Sequence, residues 1–147
     1  MTYYYEDLAV GLSESMSHTV SEHDIRLFGE ATGDFNPLHF DEAYAKKTIF
    51  RGRVAHGALT IGFISAVMGT KIPGPGSIFM EAVTRFKAPV RIGDTVVTTC
   101  TVAELKPRRE VVMHCQCKVG DKIVVEGEAL VMAPHRPAKQ PVQKDRA

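Results

Sequence analysis

The residues best suited to chemistry lie in Thr32-Gly33-Asp34-Phe35-Asn36-Pro37-Leu38-His39, with His56-Gly57 following seventeen positions after His39. Asp34 and His39 flank a loop stiffened by Gly33 and Pro37. A carboxylate and an imidazole held close can share one water molecule, one group removing a proton while the other donates one. Such proton transfer contributes ~10²–10⁴ in rate. Which of the two is the base stays open, because a coupled pair titrates as a unit. The helix that opens near Gly57 offers unpaired backbone N–H groups and the positive end of a dipole. Glycine there lets a ligand reach the backbone with no side chain in the way. An oxyanion would be stabilised at that point, one such donor being worth about 3–4 kcal/mol.

Simpler roles exist for several of these residues. Asp34 and Asn36 also suit a helix cap and a turn. His56 either orients the loop or lines a cavity, and it is kept apart from the catalytic pair. Cys100, Cys115 and Cys117 are odd in number and lack CxxC spacing, which suggests reduced thiols in a cytosolic protein. Cys115 and Cys117 read as small core residues on one strand face, and His114 beside them points to the other, so no zinc site is expected. Arg85, Lys87 and Arg91 are ordinary strand cations and receive no assignment.

The elements that must position these groups follow from local signals. Ser21 and Asp24 form a capping box, and Ile25, Phe28 and Ala31 share one helix face. Gly33 supplies the left-handed stop. Asn36-Pro37 starts a new turn, with Pro37 suited to a first helical position and Asn36 to a cap. Asp41 caps a short helix through DEAYAKK. Residues 34–40 thus form a tight loop between helices. The uncharged run VAHGALTIGFISAVMGT is apolar on every side, the pattern of a helix buried all round, with Gly69 and Pro73 as stops.

From Ser77 onward the period becomes two. SIFMEAVTRF, TVVTTCTVAEL, the run from Val111 to Val119, and KIVVEGEALVM read as strands. Gly120-Asp121 suits a type II′ hairpin, and Pro89 belongs at a bulge or an edge. Consecutive strands with short turns predict an antiparallel sheet wrapped around the apolar helix, class α+β.

The chain has 147 residues, enough for one domain with a substantial core. Its net charge of +1 gives no case for nucleic acid or an anionic membrane. The start lacks a secretory signal, and the uncharged run is shorter than the ~20 residues of a membrane helix. A cytoplasmic location follows. Residues 1–132 are read as one domain and residues 133–147 as a disordered basic tail, where four basic groups face one acid.

GDFNPLHFDEAYA, RVAHGAL and GPGSIFMEAVTRFKAPVRIGD resemble the MaoC-like, or hydratase 2, family of R-specific enoyl-CoA hydratases, over roughly residues 15–132. The resemblance implies a hot-dog fold and a homodimer joined sheet edge to sheet edge, with the acyl-CoA tunnel near that interface. It implies Asp34 and His39 as the catalytic pair, the Gly57 backbone N–H as oxyanion donor, and Ser65 and Asn36 as orienting residues. The reaction it implies is reversible hydration of short- or medium-chain trans-2-enoyl-CoA to (R)-3-hydroxyacyl-CoA. That chemistry needs a base, an α-carbon proton donor and an oxyanion stabiliser. No metal or separate cofactor is expected, coenzyme A being part of the substrate. Polyhydroxyalkanoate supply, fatty-acid oxidation and carboxylic-acid assimilation all use such a step. The alternatives are a dehydratase of carrier-protein, branched or hydroxylated thioesters, a thioesterase, or a non-catalytic acyl-CoA-binding protein.

Overall fold

The computed structural model describes residues 1–138. Two strong local signals shape the first third. In α1 (Glu22–Thr32) the Ser21 hydroxyl accepts the Asp24 N–H, the Asp24 carboxylate accepts the Ser21 N–H, and Gly33 ends the helix at φ +81°. Ile25 faces the core, but Ala31 is exposed. Before α1 runs β1 (Ser13–Thr19), a strand with no counterpart in the sequence reading. Its residues SESMSHT are mostly exposed, so they carry no apolar alternation to betray it.

Residues 37–40 are helical rather than loop. Pro37 opens the single turn α2 (Pro37–Phe40), capped by Asn36, whose side chain accepts the Leu38 N–H at 3.1 Å. Asp41 then caps α3 (Glu42–Lys46) by accepting the Tyr44 N–H.

The remaining strands fall on the runs read from the sequence: β2 (Ile78–Phe86), β3 (Thr95–Leu105), β4 (Glu110–Val119) and β5 (Lys122–Met132). They join β1 in one antiparallel sheet of order β1-β3-β4-β5-β2. The β4–β5 turn has its positive φ at Gly120 (+58°), the type II′ sign pattern. Val111, Met113, Cys115 and Cys117 are buried and interleave with Val96, Cys100 and Val102 of β3. Pro89 sits outside the strands, in the β2–β3 connection.

The long apolar helix is α4 (Gly57–Thr70), and it lies against the sheet through Thr60, Ile64, Val67 and Met68. It is not buried all round. Gly57, Ala58, Gly62, Ser65 and Gly69 line an exposed face. Composition alone set that expectation, and composition does not record which face the sheet covers. Strand β2 is also uncovered: Ile78, Met80, Val83 and Phe86 are large, apolar and exposed on a sheet edge. No helix among the described residues is long and apolar enough to cross a membrane.

The start of the basic tail is held in place rather than loose. Ala133 donates its N–H to the Arg109 carbonyl, and Pro134 accepts the Tyr5 N–H. Glu6 accepts from His135 and from the Arg136 backbone. Residues 139–147, the remainder of that tail, lie outside the described residues.

At Gly127 of β5 an added Cβ would overlap the Val83 carbonyl oxygen and stand 2.8 Å from the Thr84 Cα, both backbone atoms of β2. Gly127→Ala is expected to lower stability by about 1–3 kcal/mol, the usual cost of overpacking. Urea unfolding would show a lower midpoint with an unchanged m-value.

Candidate active site

The loop after α1 is built by short-range bonds. The Thr32 hydroxyl accepts the Asp34 N–H at 3.2 Å, the Asp34 carboxylate accepts the Asn36 N–H at 3.3 Å, and Gly33 accepts the Phe35 N–H. Asp34 therefore ends in solvent on a taut segment, its side chain exposed. One turn on, α2 carries His39 inward, where it is 8% exposed.

His39 donates from Nδ1 to the Val54 carbonyl at 2.7 Å. A carbonyl only accepts, so Nδ1 carries the proton and Nε2 keeps its lone pair. His56 is set the opposite way. Its Nε2–H donates to the Asp34 backbone carbonyl at 2.9 Å, and its Nδ1 is buried with no partner among the described residues. The two imidazoles stack with centroids 4.0 Å apart, and Phe28 lies 4.5 Å from the His56 ring. One ligand-capable atom from each of Asp34, His39 and His56 falls within 4.8 Å of the others. Among the described residues this is the one such group with metal-ligating spacing; the same spacing spans a bound water.

Gly57 follows His56 as the first residue of α4, with its N–H outside the helical ladder. It shares the wall of a 280 Å³ cavity with His39, His56, Phe50, Thr60 and Phe86. A Cβ at Gly57 would sit 3.0 Å from the Phe86 ring, so glycine keeps this approach open. The structure thus brings His39, His56 and Gly57 onto one apolar cavity, with Asp34 at its outer side.

Asn36 acts here as the α2 cap. Ser65 is not brought to the pair: it lies on the exposed face of α4, two turns from Gly57, outside the cavity lining. His114 bonds Glu126 at 3.1 Å on the strand face opposite the buried cysteines. Lys87 lines the cavity and pairs with Glu126 at 3.0 Å, whereas Arg91 is spent on the Phe50 and Arg53 carbonyls.

Sequence reasoning missed Arg53. Its Nε–H donates to the His39 carbonyl at 2.7 Å, and its two terminal nitrogens each hold a Glu22 carboxylate oxygen at 2.9 Å. This fork ties α1 to α2, and its hydrogen bonds hold the Glu22 carboxyl below the usual range. Its partners are 14 and 31 residues away, so no local signal marks it.

The sequence pattern described as MaoC like domain matches residues 10–128. The chain is 51% identical to an (R)-specific enoyl-CoA hydratase of Rhodospirillum rubrum, over 91% of this chain and 94% of that protein. It is 48% identical to a 3-hydroxybutyryl-CoA dehydratase of Methylorubrum extorquens, over 95% and 89%. Among solved structures it resembles the R-hydratase PhaJ1 from Pseudomonas aeruginosa in its unliganded form, at TM-score 0.86 and 38% identity over 95% and 94% of the two chains.

Burial pulls the His39 imidazole below its ordinary pKa, more than the Val54 carbonyl and the Asp34 charge raise it. The unfolded chain therefore binds this proton more readily than the folded one. Stability then rises with pH between the folded pKa and the ordinary value of about 6.5. For one proton the slope is at most about 1.4 kcal/mol per pH unit. Urea titrations at pH 5.5 and 7.5 are expected to show a stability loss on acidification that is smaller in His39→Gln.

Proposed function

The chain belongs to the MaoC-like domain family, and from that premise we propose that it is an R-specific enoyl-CoA hydratase. It adds water reversibly to short- or medium-chain trans-2-enoyl-CoA and yields (R)-3-hydroxyacyl-CoA. The observation that carries this reading is that His39 and the Gly57 amide share the wall of one apolar cavity while an Asp34 carboxylate oxygen lies within 4.8 Å of the imidazoles of His39 and His56.

Each group has one task. The thioester carbonyl oxygen sits at the Gly57 N–H, where the first amides of α4 stabilise the charge of an enolate. The acyl chain fills the cavity between Phe50 and Phe86. Asp34 and His39 hold the water. Its oxygen bonds to the β-carbon, the pair takes one of its protons, and a proton from the pair goes to the α-carbon. Dehydration is the same path reversed. Coenzyme A stays on the substrate throughout, and the catalytic residues need no further cofactor for these steps.

We also propose a cytoplasmic homodimer. The exposed small residues of α4 and the apolar edge of β2 are adjoining surfaces left open by a single chain. A second copy joined along β2 covers both, and it removes a bare sheet edge that would otherwise template aggregation.

Purified protein is expected to consume the conjugated thioester absorbance of crotonyl-CoA. Asp34→Asn and His39→Gln are each expected to lose at least ~10²-fold in kcat while their circular dichroism stays unchanged. Faster dehydration of carrier-protein thioesters than of coenzyme A thioesters would redirect the assignment within the family.

Gly62→Arg tests the dimer. A Cβ at Gly62 meets open space, and arginine is the better helix former, so one chain tolerates the change. Size-exclusion chromatography is expected to move from twice the 16.1 kDa chain mass to once that mass.

A further inference from the structure

Asp34, His39 and Gly57 carry the proposed reaction, yet one further residue adjoins all three. His56 is 1% exposed. Its Nε2–H holds the Asp34 backbone carbonyl, its ring face lies on His39, and its own carbonyl carbon is bonded to the Gly57 nitrogen.

Packing alone gives no reason for an imidazole here. Phe28 and Phe40 surround the ring with aromatic carbon, and Nδ1 is left with no partner. A hydrocarbon ring would fill the space without stranding a polar atom. What a hydrocarbon cannot do is donate to Asp34. That bond stands out against the rest of its loop. The other hydrogen bonds of residues 33–36 reach no further than four residues along the chain. Among the described residues, the His56 bond is the one that ties this segment to a distant part of the fold, across 22 positions.

We propose that His56 is a positioning residue: its Nε2–H tethers the Asp34 backbone and so holds that carboxylate in register with His39 and the Gly57 amide. The inference rests on the hydratase reading for its catalytic consequence, but the tether itself does not. His56 hands no proton to substrate. Its effect is geometric, and misplacement of about 1 Å in a catalytic group can cost ~10² in rate.

Two substitutions separate its parts. His56→Phe keeps a ring against His39, Phe28 and Phe40 and removes the donor. His56→Gln keeps an N–H donor and removes the ring. With crotonyl-CoA, the phenylalanine variant is expected to lose ~10–100-fold in kcat with KM within about threefold, the scale seen when an orienting partner is removed. The glutamine variant is expected to recover most of that loss. In parallel, amide hydrogen exchange at residues 34–36 is expected to quicken in His56→Phe and stay near wild type in His56→Gln.

Near wild-type kcat in a folded His56→Phe would overturn the proposal. So would equal losses in the two variants, or a rise in KM at constant kcat. His56→Leu serves as a second donorless chain, and failure of both donorless chains to fold would also overturn it, by making the role structural. A wild-type protein inactive on every enoyl thioester would sink the hydratase reading instead, and the exchange data would still decide the tether.

Discussion

The short bond from His39 to the Val54 carbonyl fixes more than one side chain. It chooses the tautomer, and with it which nitrogen faces the cavity carrying a lone pair. It also joins α2 to the segment that leads into α4, so the imidazole and the first amides of that helix move as one body. The Arg53 fork secures the same turn from outside by gripping the His39 carbonyl and Glu22. A histidine on a four-residue helix has little intrinsic order of its own. Here its ring and its carbonyl are held by the consecutive residues Val54 and Arg53, and its helix is capped by Asn36.

The sheet supplies the reference frame for these contacts. The β3 and β4 side chains that support α4 are buried in strict alternation, and the helix rests on them through Thr60, Ile64, Val67 and Met68. That support places Gly57 at the cavity wall while β2 and the connection after it supply Phe86, Lys87 and Ala88 opposite. The site is therefore assembled between the rigid core and the least covered strand of the molecule.

What the sequence disclosed depended on how local the physics was. The Ser21 box, the Gly33 stop and the Asn36-Pro37 turn each close within a few residues, and all were legible. So were β3, β4 and β5, where buried side chains alternate with less buried ones along most of each strand. Strand β1 escaped because its register with β3 is set by backbone pairing, and its side chains are exposed on both faces. The covering of α4 was misjudged because apolar content says how a helix would like to be covered, not what covers it. Arg53 and the His56 tether were illegible for a further reason: each acts through a backbone carbonyl, and any residue type can supply one.

The two halves of the site differ in wetness. Asp34 stands in solvent at the outer side, whereas His39 and Gly57 line a largely apolar cavity. On the proposed reading the polar reactant and the greasy one come from different quarters. An alkene pinned by its carbonyl to α4 then offers only one of its two faces to the wet side. Handedness in the product would follow from plumbing, without any group dedicated to choosing it.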